Sequence, residues 1–226
     1  MCFTPQVSFL IFAIEFILGL IVLWKTPKGK YHGTYVLSAL ILFCLGLYQF
    51  SQFGLCTFND INLWGRMGFL AYNILPALGL HLAYSLTNSN RRSLYAIYAF
   101  PIFFGLAALF LKNFVTSAQC STVYVIVEHV WTPLWQNIYG VYYALFTILM
   151  AIVLWDAIKK ERTVQRRKIL WAGLAGLIAF TVPTFVLIIL LPALKLAFPS
   201  IFCEFALLFA IFLFYMIGLI EKSKSK

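Results

Sequence analysis

The sequence predicts an all-α, polytopic membrane protein of seven transmembrane helices, with the N-terminus outside and the C-terminus in the cytoplasm. Three observations carry that expectation. The apolar residues come in long blocks, the basic residues fall between alternate blocks, and the connections are too short to hold a soluble domain. Of 226 residues, 63% are hydrophobic and only 11% charged. A soluble chain cannot bury that fraction, whereas a bilayer core about 30 Å thick asks for runs of roughly 20 apolar residues. Lipid offers no partner to backbone N–H and C=O groups, so runs of this length are expected to be helical.

Taken in order, the expected spans are 7–24, 34–53, 67–86, 94–111, 136–155, 169–191 and 199–220, together forming a single transmembrane domain. The first follows Pro5, a suitable first-turn residue. It lacks a basic n-region and a small-residue cleavage site and carries Glu15, so it reads as a true span rather than a signal peptide. Pro27 and Gly29 make the connection to the second span a short inner turn. The second span ends in Gln49 and Gln52, and Trp64 and Arg66 mark the entry to the third. The third holds Asn73, Pro76 and His81 and is expected to bend at Pro76. Pro101 and Pro183 interrupt the fourth and sixth spans, and Pro199 and Ser200 open the seventh. The longest connection, Lys112 to Trp135, ends in Glu128, His129, Trp131 and Trp135, a composition suited to an interfacial belt or a lid. LPALGLHLAYS (Leu75–Ser85) and LPALKLAFPS (Leu191–Ser200) are alike but would lie at different depths, so no internal repeat is inferred.

The net charge of +10 does not point to nucleic acid. Of 17 Lys and Arg residues, only Arg66, Lys112 and Lys195 fall on one side of the seven-span arrangement and the other fourteen on the opposite side. That is the positive-inside bias, and it sets the expected orientation in the cell (inner) membrane. The stretch from Lys159 to Lys168 is expected to rest on anionic lipid headgroups.

Five cysteines are sorted by the same arrangement. Cys2, Cys56, Cys120 and Cys203 gather toward the outer side, where disulfides persist, and Cys44 lies in the second span as a small apolar filler. Four cysteines allow three connectivities. Cys56–Cys120 is the pairing expected first, because the long loop can reach across the outer face. Cys2–Cys203 would be a second bridge, joining neighbouring helix ends. The alternative is that the outer cysteines only pack.

Ionisable groups inside the hydrocarbon layer cost about 2.5–3.5 kcal/mol on the insertion scale and default to functional hypotheses. Glu15 is expected near the midplane, Glu204 in the outer third and His81 in the inner third. With Gln49, Gln52 and Asn137 they form the candidate ligand-binding set, and Glu15, Gln49, Gln52 and Glu204 are expected to face one outward-opening polar pocket. The structural alternative is that each side chain is hydrogen-bonded to a neighbouring helix and holds the bundle together. Metal and enzyme chemistry finds no footing. His32, His81 and His129 fall at three different depths, and HExxH, GxSxG and P-loop strings are absent. No catalytic residue, metal site or cofactor is expected.

The strings CFTPQVSF (Cys2–Phe9), LPALGLHL (Leu75–Leu82) and PSIFCEFALLFA (Pro199–Ala210) resemble a bacterial family of seven-helix membrane proteins without an assigned activity. The resemblance covers nearly the whole chain. In that family the second helix ends more like Gln-x-x-Glu-x-x-x-Cys. Here Gln49, Gln52 and Cys56 stand without the carboxylate. The stretch Leu63–Pro101 is similar in layout to the seven-helix input region of bacterial sensor histidine kinases, which implies a sensor. The chain stops at Lys226, so a separate cytoplasmic signalling partner is expected to supply the output. The functional expectation is a small receptor-like module that binds a small ligand or lipid from the outer side. The alternatives are a transporter or channel using Glu15, Glu204 and His81, and an intramembrane enzyme acting on a lipid or quinone.

Overall fold

A computed structural model describes residues 5–29, 31–87, 94–120, 125–190 and 205–224. Among the described residues, eight helices and one β-hairpin follow in chain order: α1 Pro5–Trp24, α2 His32–Thr57, α3 Ile61–Asn73, α4 Leu75–Thr87, α5 Leu94–Phe110, β1 Val115–Cys120, β2 Val125–His129, α6 Pro133–Lys160, α7 Val164–Leu190 and α8 Ala206–Lys224. Helices α3 and α4 form one apolar rod interrupted at Ile74, so six helices are long and apolar enough to cross a membrane, and Ala96–Phe110 is a shorter apolar helix. The chain is therefore a polytopic helical protein by length and composition.

The helices overrun the apolar runs on which they were expected. Residues 32–57 and 133–160 replace the narrower 34–53 and 136–155 because polar and aromatic residues continue each helix past the apolar core. Residues 191–204, including the expected start of the seventh span, lie outside the described residues. The fold is all-helical as expected, with one addition: the long connection folds into a two-stranded antiparallel hairpin pairing Ser117 with Glu128 and Cys120 with Val125. The β-branched residues Val115, Thr116, Val125, Ile126 and Val127 favour that extended state.

Helix α2 is the hub, packing against α1, the α3–α4 rod and α8. Helix α1 turns one narrow stripe, Ser8, Glu15, Gly19 and Val22, toward α2 and leaves Leu10, Ile17 and Leu20 exposed. A Cβ at Gly19 would meet Phe43 Cε1 at 2.7 Å, so the missing side chain is what allows the two helices to close. Helix α4 packs on α6, and α7 on both α6 and α8. Helix α8 reaches back to α1, where Lys25 Nζ lies 3.3 Å from Glu221 Oε2.

The break in the third rod has a clear cause. Pro76 has no N–H to give the preceding turn, so backbone carbonyls there need other partners. The Tyr142 hydroxyl of α6 donates to Asn73 O at 2.8 Å, and Asn73 Nδ2 donates to Pro101 O of α5 at 2.7 Å. The bend expected at Pro76 is thus a junction tying three apolar segments together through buried hydrogen bonds.

Candidate functional site

Of the polar residues singled out in the sequence, Glu15 and Gln49 are fully buried. Glu15 Cβ would sit 3.6 Å from a Cβ built on Gly46, which places the carboxyl-bearing side chain in the seam between α1 and α2. Gln49 follows Gly46 by one turn of α2. Gln52 lies further along, and its Nε2 donates to the Tyr48 hydroxyl at 2.6 Å. His81 is elsewhere: its Nδ1 is 2.8 Å from the Tyr98 hydroxyl of α5. Asn137 is exposed on α6. Glu204, Cys2 and Cys203 lie outside the described residues, and so does the Cys2–Cys203 bridge. Glu15, Gln49 and Gln52 therefore share one helix pair and its neighbourhood, while His81 and Asn137 belong to other surfaces.

The end of the bundle bearing the hairpin is built most elaborately. Cys56, closing α2, is disulfide-bonded to Cys120 at the end of β1, with Cα atoms 5.8 Å apart. Asp60 caps α3 by accepting from Leu63 N at 2.9 Å, and two residues later Asn62 Oδ1 accepts from Val115 N at 3.2 Å, fastening β1 to α3. A Cβ at Gly65 would meet Val115 Cγ2 at 2.5 Å, so the hairpin lies directly on the α3 backbone.

Arg66 completes this frame. Its Nη1 donates to Ala108 O at 2.6 Å and Leu109 O at 2.7 Å, and its Nη2 to Leu111 O at 2.7 Å. These carbonyls end α5 and have no intrahelical partner, and the negative end of the helix dipole favours a cation there. One of the few basic residues at this end of the molecule is thus used to cap a helix.

Beneath the hairpin the side chains are mainly aromatic. Phe69 packs on Phe114, Trp131 and Tyr139 with ring centroids 5.0, 5.0 and 5.4 Å away. His129 of β2 lies in the same web, 4.8 Å from Phe114 and 5.7 Å from Phe69. Burial there disfavours the charged imidazole and pushes its pKa down from 6.5 to about 4. A small cavity of about 20 Å³ between α2, α3 and β2 is lined by Ser51, Gln52, Tyr48 and His129 among others. That is room for roughly one water molecule.

A larger cleft of about 450 Å³ opens beside the web, between α5 and the start of α6. Its walls are Phe103, Phe104, Leu106, Phe110, Trp131 and Trp135, with little polar surface. Behind them Tyr139 packs 5.1 Å from Phe104 and 5.7 Å from Trp131. Its buried hydroxyl has no hydrogen-bond partner among the described residues.

Sequence reasoning missed the α5 wall of this cleft, Phe103, Phe104, Leu106 and Phe110, and the backbone contacts that Asn62 and Arg66 make in the frame. The Trp131–Trp135 spacing of one helical turn was visible, but its partners on α5 come from about thirty residues away in sequence. No group of three or more His, Cys, Asp or Glu suited to a metal ion occurs among the described residues. No family model matches the chain, and no curated protein is found that matches it.

Proposed function

We propose that the protein is a small sensor or receptor-like module of the cell (inner) membrane, spanning it seven times with the hairpin outside and the C-terminus in the cytoplasm. It takes a small apolar or lipid-like ligand at the hairpin end and passes the event to a separate cytoplasmic partner. The observation that carries this reading is the aromatic cleft of about 450 Å³ beside a covalently anchored lid, within the size range of small-molecule sites. Tyr139 backs that wall, packed on Phe104 and Trp131 with its hydroxyl buried. Trp131 and Trp135 bracket the start of α6, and α6 runs without interruption to Lys159 and Lys160 at the far end, so a shift at the cleft has a rigid path to the basic face.

The orientation is supported by charge and redox chemistry together. Lys25, Lys28, Lys159, Lys160, Arg166 and Lys168 gather at the end away from the hairpin, and a disulfide suits an oxidising compartment. A proton or cation path is the weaker reading, since Glu15 packs in the α1–α2 seam and His81 bonds Tyr98 of α5.

Two measurements test the proposal. After reduction, an impermeant thiol reagent is expected to label Cys120 from outside the cell and to miss Ser225→Cys; the reverse pattern overturns the orientation. A naphthoquinone and a short-chain phospholipid, titrated against the purified protein, are expected to quench tryptophan fluorescence saturably in at least one case. Trp131→Ala with Trp135→Ala should abolish that component. Tyr139→Phe should leave the protein as stable or slightly more so, because it removes an unsatisfied buried hydroxyl. Saturation that survives the tryptophan replacements overturns the site.

A further inference from the structure

The α3–α4 break holds two buried polar atoms that complement one another and do not meet. Asn73 Nδ2 donates to Pro101 O at 2.7 Å, and Asn73 O accepts from the Tyr142 hydroxyl at 2.8 Å. A carbonyl can only accept, so Pro101 fixes which end of the Asn73 amide is nitrogen and leaves Oδ1 as the other. That oxygen is buried and has no hydrogen-bond partner among the described residues. The Tyr139 hydroxyl, about one turn before Tyr142 on α6, is buried without a partner as well. One is an acceptor lacking a donor, the other a donor lacking an acceptor. Protein interiors seldom leave either, and here both stand in one layer of the bundle.

Their nearness follows from shared neighbours. Phe69 and Tyr72, on the last turn of α3, pack on Tyr139 with ring centroids 5.4 and 6.0 Å away. Adjacent residues of α5 touch both groups: Phe104 lies 5.1 Å from the Tyr139 ring, and a Cβ built on Gly105 would sit 3.7 Å from Asn73 Nδ2. Tyr139 also meets Trp131 at 5.7 Å. Phe104 and Trp131 line the aromatic cleft, so Tyr139 lies between the wall of the cleft and the end of α3. The rod is interrupted at Ile74 just beyond, and Pro76 removes a backbone donor from the next turn, so the rod bends most readily here. At its far end α4 is held by Arg166 of α7, which donates to Leu86 O at 3.3 Å.

From this geometry we infer that Tyr139 and Asn73 are the two halves of a switch that reports occupancy of the cleft to the α3–α4 junction. As the structure stands, their hydrogen bond is open. In a second arrangement the Tyr139 hydroxyl donates to Asn73 Oδ1, directly or through one water, and the junction stiffens. A ligand seated against Phe104 and Trp131 presses Tyr139 toward α3 and favours the closed arrangement. Such a ligand shifts the equilibrium only through contacts that differ between the two arrangements, and these wall residues supply them. Movement of α4 then reaches the basic end through Arg166, beside the path along α6. The inference rests on the reading of the cleft as a ligand site and names how that site is read out.

The test observes the asparagine amide directly, in the whole protein carrying isotope-labelled asparagine, by infrared difference spectroscopy. Saturating naphthoquinone is expected to move one side-chain carbonyl band to lower wavenumber, as a C=O does on accepting a hydrogen bond. Tyr139→Phe should abolish that shift. A wedge needs no ligand: Ala107 lines the same cleft, and Ala107→Phe should produce the same shift, lost again when combined with Tyr139→Phe. Hydrogen exchange at Ile74, Leu75 and Ala77 should slow wherever the band moves. If the wedge moves the band and naphthoquinone neither moves it nor quenches tryptophan, the switch stands and the ligand reading fails for that probe. If naphthoquinone quenches saturably while neither it nor the wedge moves the band, the cleft stands and the switch is overturned. A shift that persists in Tyr139→Phe overturns it too, because another donor then reaches the asparagine.

Discussion

The two ends of this bundle solve the same problem by opposite means. At the hairpin end, polar groups and cations are consumed internally: Arg66 by three carbonyls of the α5 terminus, Asn62 by the β1 backbone, and Cys56 by Cys120. At the basic end, charges such as Lys160 and Lys168 stand at the surface, and ion pairs such as Lys25–Glu221 are exposed by 44% and 38%. The first end is therefore rigid by construction, and the second is adapted to exchange partners. Stability should follow the first and lipid dependence the second.

The sharpest way to break this contrast is to open the bridge. Cys56→Ser with Cys120→Ser frees a loop with a sequence separation of 64 residues, worth about 4 kcal/mol in the disputed chain-entropy account. Hydrogen exchange should rise across β1, β2 and the end of α2 and remain unchanged in the α7–α8 pair. Equal loosening at both ends would mean that the ends are not independent.

Acid is the next lever. Folded His129 titrates near about 4 and an unfolded histidine near 6.5, so as pH falls the unfolded chain takes up the proton first. The stability conferred by the neutral ring is complete above about pH 6.5 and is lost progressively toward pH 4, with an upper limit of about 3 kcal/mol. His129→Phe should flatten that pH profile of thermal unfolding; an unaltered slope would show that another group is responsible.

A smaller loss is expected from Arg66→Ala, which strands the carbonyls ending α5. About 2 kcal/mol is the expected scale for hydrogen bonds to a charged donor at a partly exposed site. Arg66→Lys should recover less than half of it, because an ammonium cannot reproduce the planar fork. Thermal unfolding in detergent measures both. At the opposite end, Lys25→Gln with Glu221→Gln should cost no more than about 0.5 kcal/mol, as for exposed pairs generally. A larger loss would erase the distinction between the ends.

Much of the architecture is legible from apolar run length. Helix α1 is the most apolar of the six long helices, and only 22% of its most apolar 18-residue stretch is buried, whereas 67% of the corresponding stretch of the more polar Ile61–Thr87 rod is. Run length locates such helices, but a helix apolar on every side carries no clear sign of which face turns inward. That is why the sequence groups Gln49 and Gln52, one turn apart, with Glu15 without saying which surface each meets; Gln52 lines the small space with Tyr48 and His129. The disulfide was readable because two cysteines stood at the ends of connections on the same side. The hairpin was hidden by its setting: its β-branched residues fall in two short clusters, Val115–Thr116 and Val125–Val127, inside a long connection where aromatic residues suggested only a belt. The Arg66 cap was hidden because its acceptors are backbone atoms, which have no sequence signature.

The Cys56–Cys120 bridge also bears on the order of assembly. Between its two cysteines lie the whole α3–α4 rod and the whole of α5, one excursion away from the hairpin end and one return. On the seven-span reading proposed above, the bond can close only after both have been threaded, so a chain caught with one of them misplaced keeps two thiols on opposite sides of the membrane. Oxidation at this pair is in effect a record of completed insertion: a reduced pair flags an unfinished chain, and an oxidised one makes the threading hard to reverse.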